Sequence, residues 1–208
     1  MRRILVSQDD SVEAARAARW ALDEAGRVGG TVEYCRSGTA VAGSSGASML
    51  VVGLHGGPEE ASGVVAHARC PVVVVRGTSA PRGPVVVGID DTPTTERALA
   101  FAFGHAAAHG APALAVQAQD PDEPAMAVIA STMCRLDTWH GRYPAIPVRL
   151  DLSAARPAEA LVEASHDARL VVIGVEDRRR WPVPSLGPVV RHLLRNAACP
   201  VAVIHRRT

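Results

Sequence analysis

Residues 169–198 read RLVVIGVEDRRRWPVPSLGPVVRHLLRNAA, and the order of patterns in this stretch decides the fold. Residues 170–174 form a continuous apolar, β-branched run with the length of a strand covered on both faces. Gly187 and Pro188 then open an amphipathic run, because proline fits the first helical turn, where its missing N–H has no partner to lose. Strand, irregular loop and helix N-terminus in that order make an anion-binding shape. The orphan N–H groups and the positive end of the helix dipole both point into the loop.

The flanking sequence extends the same alternation. Before it come a strand at 148–152 and a helix at 157–166; after it comes a strand at 201–204. Further back, the run Val85-Val86-Val87-Gly88-Ile89-Asp90-Asp91 reads as a strand, and Thr92-Pro93 as the cap of a helix reaching His109. A strand at 113–119 and a helix at 125–142 complete a β-α-β-α-β-α-β-α-β series, which means a parallel sheet with helices on both faces. Residues 78–84 (TSAPRGP) are turn-forming and read as a linker.

Upstream of the linker the pattern occurs in shorter form. Strands are predicted at 3–6, 31–35, 49–53 and 71–75, with a helix over about 11–27 that Asp10 and Glu13 would start as a capping box. Residues 39–47 read as weak helix or loop. Three anchors measure the repeat: Asp9 with Asp90, Gly53 with Gly174, and Cys70-Pro71-Val72 with Cys199-Pro200-Val201. Their separations are 81, 121 and 129 residues. The first half therefore lacks 40 residues between its Asp and Gly, about one β-α unit. The expected architecture is two tandem Rossmann-like parallel sheets, in units 1–77 and 84–208, the first short of one β-α unit. So small a first unit buries little core by itself and is expected to lean on the second.

Composition narrows the chemistry. Hydrophobic residues make up 48% of the 208 and aromatic ones only 3%, so the core is aliphatic, as packed α/β layers require. The net charge of +1 argues against nucleic acid as a partner. All 22 basic residues are arginine, which removes a P-loop lysine, a Schiff base and a kinase or receiver lysine. The four cysteines have no CxxC spacing, so neither a zinc ribbon nor a redox dithiol is expected; Cys70 and Cys199 read as small core residues. No long apolar span or leader is apparent, and a reduced, cytoplasmic protein off the membrane is expected. His105 and His109 stand four apart on one helix, a metal edge for which the sequence supplies no third ligand, so no metal is predicted.

VVVGIDDTPTTERALAFAFGHAAAHGAPALAVQA, followed by LVVIG and LLRNAACPVAVI, resembles a universal stress protein domain. The likeness covers nearly all of residues 84–204 and, more loosely, 2–76 as a truncated copy. It implies a five-stranded parallel sheet and ATP or another adenine nucleotide held across the carboxyl ends of strands one and four, where strand order reverses. Gly88, Ile89, Asp90, Val116, Gln117, Ile173, Gly174, Gly187 and Val189 are then the nucleotide candidates. Asp90 would meet the ribose and main chain near Val116 and Gln117 the base. Asp9, Gly53 and Gly56 are weaker counterparts in the first copy. The likeness also implies that the final strand of each copy joins two domains edge to edge, in a homodimer or an intramolecular pseudo-dimer.

Nucleotide-binding relatives carry a loop of form G-x2-G-x9-G-[S/T]. Here Gly174 and Gly187 keep its spacing, but Asp177 stands at the middle glycine and Pro188 at the Ser/Thr. Proline removes a donor and a hydroxyl from the helix start. An aspartate at contact distance repels a phosphate by about 4 kcal/mol in an effective dielectric of about 20, which Arg178, Arg179 and Arg180 could offset. In the first copy Gly53 and Gly56 persist, yet Pro58-Glu59-Glu60 follows and answers its own helix dipole. No general base, metal carboxylate and phosphate cation come together in sequence, since only Asp90, Asp91 and the arginines qualify. The expectation is a non-enzymatic protein with weak or absent nucleotide affinity, or a nucleotide-free interaction scaffold. Trp181 is either a loop anchor or a contact.

Overall fold

A computed structural model describes residues 2–54, 58–119, 124–176 and 186–205, with the side chains of 58–60 excepted. Nine strands and seven α-helices alternate along it. The first half runs β1 (Arg2–Gln8), α1 (Val12–Val28), β2 (Gly30–Arg36), a 3-10 turn (Ser37–Thr39), α2 (Ala40–Gly43), β3 (Met49–Gly53), α3 (Pro58–His67) and β4 (Val72–Val75). The second runs β5 (Val85–Gly88), α4 (Thr95–His109), β6 (Ala113–Ala118), α5 (Ala125–Arg142), β7 (Val148–Ser153), α6 (Pro157–Ala164), β8 (Leu170–Val175), α7 (Pro188–Asn196) and β9 (Val201–His205).

The strands form one sheet in the order β2-β1-β3-β4-β9-β8-β5-β6-β7. Every pairing is parallel except β4 with β9, which is antiparallel and sets Val72 opposite Val203, Val73 opposite Ala202 and Val74 opposite Val201. The two expected parallel sheets are thus two parts of a single sheet, joined at a seam made by the last strand of each half. The first half has four strands against five. Where β6 is followed by α5, β7 and α6, β2 is followed only by the 3-10 turn and α2.

Alternation along the strands sorts side chains onto two faces. Ile4, Val6, Val73, Val75, Val85, Val87, Leu170, Val172, Ala202 and Ile204 pack under α1, α4 and α5 with Ala21, Leu99, Phe103, Leu136 and Trp139. Leu5, Val72, Val74, Val86, Val171, Val201 and Val203 pack on the other face with Ala40, Val65, Leu161, Leu193 and Leu194 of α2, α3, α6 and α7. Each cluster runs unbroken through both halves, so the short first half shares its core with the second, as its size requires.

Connections between the halves are also polar. Arg76 donates from Nη1 to Leu193 O at 3.1 Å and from Nη2 to Arg195 O at 3.0 Å. Those carbonyls belong to the last turn of α7, where cations are favoured. The linker is irregular, as its composition predicts, but it is tied down: Thr78 N–H donates to Ala198 O (2.8 Å) and Ala80 N–H to Ala168 O (3.1 Å). Two expected helix starts are corrected. Ser11, not Asp10, caps α1, its hydroxyl accepting from Ala14 N–H at 3.0 Å. The cap residue of α4 is Thr94, without a side-chain cap bond of its own.

Candidate functional site at the carboxyl edge of the sheet

Parallel strands that all point one way present their carboxyl ends along one edge, and β5 lies between β6 and β8 there. Gly88, Ile89, Asp90, Val116, Gln117, Ile173 and Gly174 gather at this edge, on the ends of those three strands. β6 runs on to Ala118 past its last pairing with β5, at Val116, which opens a notch beside Asp90.

The notch is laced by the protein's own hydrogen bonds. Asp90 Oδ1 accepts from Thr92 N–H (3.1 Å), the Thr92 hydroxyl (2.6 Å) and the Thr95 hydroxyl (2.6 Å). Asp90 N–H donates back to Thr95 Oγ1 at 3.3 Å, a reciprocal arrangement that secures the start of α4. Arg135, on α5, braces the same corner: it donates to Asp90 O at 3.2 Å and pairs with Glu96 at 3.3 Å. Glu96 in turn accepts from Trp139 Nε1–H at 3.0 Å. Val116 O is engaged by Ile89 N–H at 2.9 Å, and Gln117 Oε1 by the Thr132 hydroxyl.

Gly174 has a packing reason. A Cβ there would stand 2.9 Å from Thr94 Oγ1, 3.0 Å from Thr94 Cβ and 3.2 Å from its carbonyl carbon. Gly53 repeats the device more tightly: its Cβ would meet Glu13 C and O at 2.4 Å and Ala14 N at 2.7 Å. In both halves the glycine lets the end of one strand touch the start of the first helix. At Gly88 the nearest atoms belong to the flexible Leu161 side chain, at 3.2 Å and beyond. Gly187 is the cap residue of α7, with no side chain to cap it, and Pro188 is its first position. Val189, in the first turn of α7, is half-buried against the core on that face of the sheet.

In the first half Asp9 Oδ1 accepts from Ser11 N–H (2.8 Å) and Oδ2 from the Ser37 hydroxyl (3.4 Å). Ser7, Asp9, Ser37, Val52, Gly53, Ala61 and Val64 line a shallow cleft of about 30 Å³. That is an order of magnitude below the roughly 300–1,000 Å³ of small-molecule sites. Gly56, Asp177, Arg178–Arg180 and Trp181 lie outside the described residues.

The helix pair singled out for metal geometry sits at the opposite edge, near the amino end of β8. His105 and His109 do share a face of α4, and the structure adds a partner that sequence spacing could not reveal. Glu24, 81 residues away on α1, lies between them: Oε1 is 3.3 Å from His105 Nδ1 and Oε2 is 2.7 Å from His109 Nε2. All three side chains are buried, 3–4% exposed. Burial pushes the Glu24 carboxyl up, but hydrogen bonds from both imidazoles outweigh it and hold it at about 2. Burial pushes His105 below its ordinary value, which favours the neutral ring. Arg169 Nη1 lies 3.1 Å from His109 Nδ1.

Comparison with known proteins adds to this geometry. The universal stress protein family profile matches residues 81–205. A universal stress protein of Mycobacterium tuberculosis H37Rv is 37% identical over 179 residues, covering 78% of this chain and 60% of that one. One from Mycolicibacterium smegmatis is 31% identical over 196 residues, covering 81% and 65%. The chain thus spans about 60–65% of the length of these curated relatives. In fold, it is similar to the crystal structure of a universal stress protein from Archaeoglobus fulgidus, with a TM-score of 0.75 over 99% of this chain and 96% of that one at 13% identity. With the parallel sheet, the strand order and the profile match in agreement, the chain belongs to the universal stress protein family.

Proposed function

We propose that this is a non-enzymatic stress-response protein whose adenine-nucleotide site is degraded, binding ATP or its relatives weakly or not at all. The observation that carries the reading is Asp90 Oδ1, which accepts three donors from Thr92 and Thr95. A ribose hydroxyl approaching Oδ1 competes with contacts already made at 2.6 Å, and those contacts fix the orientation in which Oδ2 is offered. Gly174 pressed against Thr94 and Pro188 at the first position of α7 add to it, since both features of the phosphate loop have other uses here. The absence of lysine and the lack of a base–metal–cation set in sequence support a role without turnover.

The chain is read as two units, 1–77 and 84–208, the first a shortened copy, functioning in the cytoplasm. The β4–β9 seam favours a second reading, a nucleotide-free interaction scaffold in which one chain acts as its own pseudo-dimer. Neither reading needs a metal at the carboxyl edge, nucleic acid or a membrane; among the described residues no helix is long and apolar enough to cross one. Native mass spectrometry of the freshly purified protein tests both. Bare chain, without a nucleotide adduct, is expected. A stoichiometric adenine nucleotide carried through purification would overturn the degraded-site reading, and an obligate homodimer would overturn the pseudo-dimer.

A further inference from the structure

We propose that Glu24, His105 and His109 form a divalent transition-metal site, of the kind that takes Zn2+ or Co2+, clasping α1 to α4. Two imidazoles and one carboxylate are a donor set that zinc accepts, with water completing four ligands. Two of the donors are four residues apart on one helix, and the third comes from the other half of the chain. The ligand atoms all lie within 4.8 Å of one another. A tetrahedron with bonds of about 2.05 Å has edges of about 3.3 Å. Glu24 Oε1 to His105 Nδ1 already measures 3.3 Å; His109 Nε2 lies 2.7 Å from the other oxygen, Oε2, so the carboxylate must turn to offer one oxygen to the metal, and ligand atoms up to 4.8 Å apart must close toward that edge. The site is buried, and Trp20 stacks on His105 with ring centroids 5.9 Å apart, which restrains that imidazole. It lies across the sheet from Asp90 and owes nothing to the nucleotide edge.

Without metal, both imidazoles are placed to donate to Glu24. His105 does so through Nδ1–H, and His109 through Nε2–H while its Nδ1 accepts from Arg169. Binding a cation needs the lone pairs of those same nitrogens, so each neutral ring shifts its proton to the other nitrogen, with none released. His109 Nδ1–H then faces the Arg169 guanidinium, a donor against a donor. Arg169 is therefore the gate. It must swing aside, and its charge weakens the site. Replacing it by glutamine supplies an acceptor for Nδ1–H, the second-shell partner that metal-bound histidines use.

Equilibrium dialysis of the chelator-treated full chain against Zn2+ or Co2+, with metal counted by mass spectrometry, tests this. Expected are one metal per chain, visible d–d absorption of a low-coordinate Co2+ site, and affinity lowered about tenfold or more by Glu24→Gln or His109→Ala. His140→Ala, on exposed α5 surface, should leave binding unchanged. Arg169→Gln should tighten it about tenfold, a gain that misfolding cannot imitate. Sub-stoichiometric binding by the wild type, a six-coordinate Co2+ spectrum, or binding that survives both His105→Ala and His109→Ala would overturn the proposal.

Discussion

Gly77→Ala gives a quantitative test of how the two halves are held. Gly77 has φ +55°, and a Cβ there would stand 1.8 Å from Ala198 O and 2.4 Å from Ala198 C. Carbonyl oxygen and carbon tolerate about 3.2 Å, so the linker must lift from the turn before β9. That lift breaks the Thr78 N–H bond to Ala198 O, at 2.8 Å, which costs about 1–2 kcal/mol. The left-handed backbone adds about 1–2 kcal/mol. Gly110→Ala isolates the second contribution, because Gly110 has φ +60° and nothing within 4 Å of its would-be Cβ. Alanine restricts the unfolded chain equally at both sites. The two variants should therefore differ by about 1–2 kcal/mol, or roughly 2–8 °C in Tm for a chain of this size. Calorimetric melting of both variants alongside the wild type measures this directly. Coincident melting temperatures would refute the docked linker.

Other consequences follow from single contacts. Gly53→Ala should destabilise more than Gly174→Ala in urea unfolding, since the first clash is with backbone at 2.4 Å and the second begins at a side-chain hydroxyl at 2.9 Å. Asp90→Ala, which removes the Oδ1 acceptor of Thr92 N–H and of the Thr92 and Thr95 hydroxyls, should cost about 1–2 kcal/mol in the same assay; a neutral result would mean that these bonds do not secure the turn before α4. Burial holds the Cys199 thiol up at about 12, and it also raises Cys35. Burial thus disfavours thiolate at both, so exposed Cys134 should react first with an aromatic disulfide reagent at pH 8. Cys70 and Cys199 should react only after unfolding.

Strand and helix identities were legible because buried parallel strands are apolar on both faces and the helices between them are punctuated by Gly and Pro. Residues 170–174 and 201–204 needed no tertiary information. The 40-residue difference between the anchor spacings agrees with the shorter run of elements between β2 and β3, where the second half has α5, β7 and α6. Local competition was harder to read. Asp10 and Ser11 are both good caps, and only the backbone course, with Asp9 bonded to Ser11 N–H, selects Ser11. Gly174 is also a contact point for Thr94, a role that depends on where α4 begins and that the spacing of the loop glycines does not reveal. Glu24, Thr132 and Arg135 left no sequence signal at all. Each acts across 15 to 85 residues, on a partner that the sheet order brings near.

The central question is whether the carboxyl edge of the second half still takes a nucleotide. Isothermal titration of the full chain with ATP, paired with Asp90→Asn, measures it. No saturable heat below about 1 mM ATP, and no difference between the two proteins, is the expected result. Micromolar binding by the wild type that Asp90→Asn abolishes would contradict it.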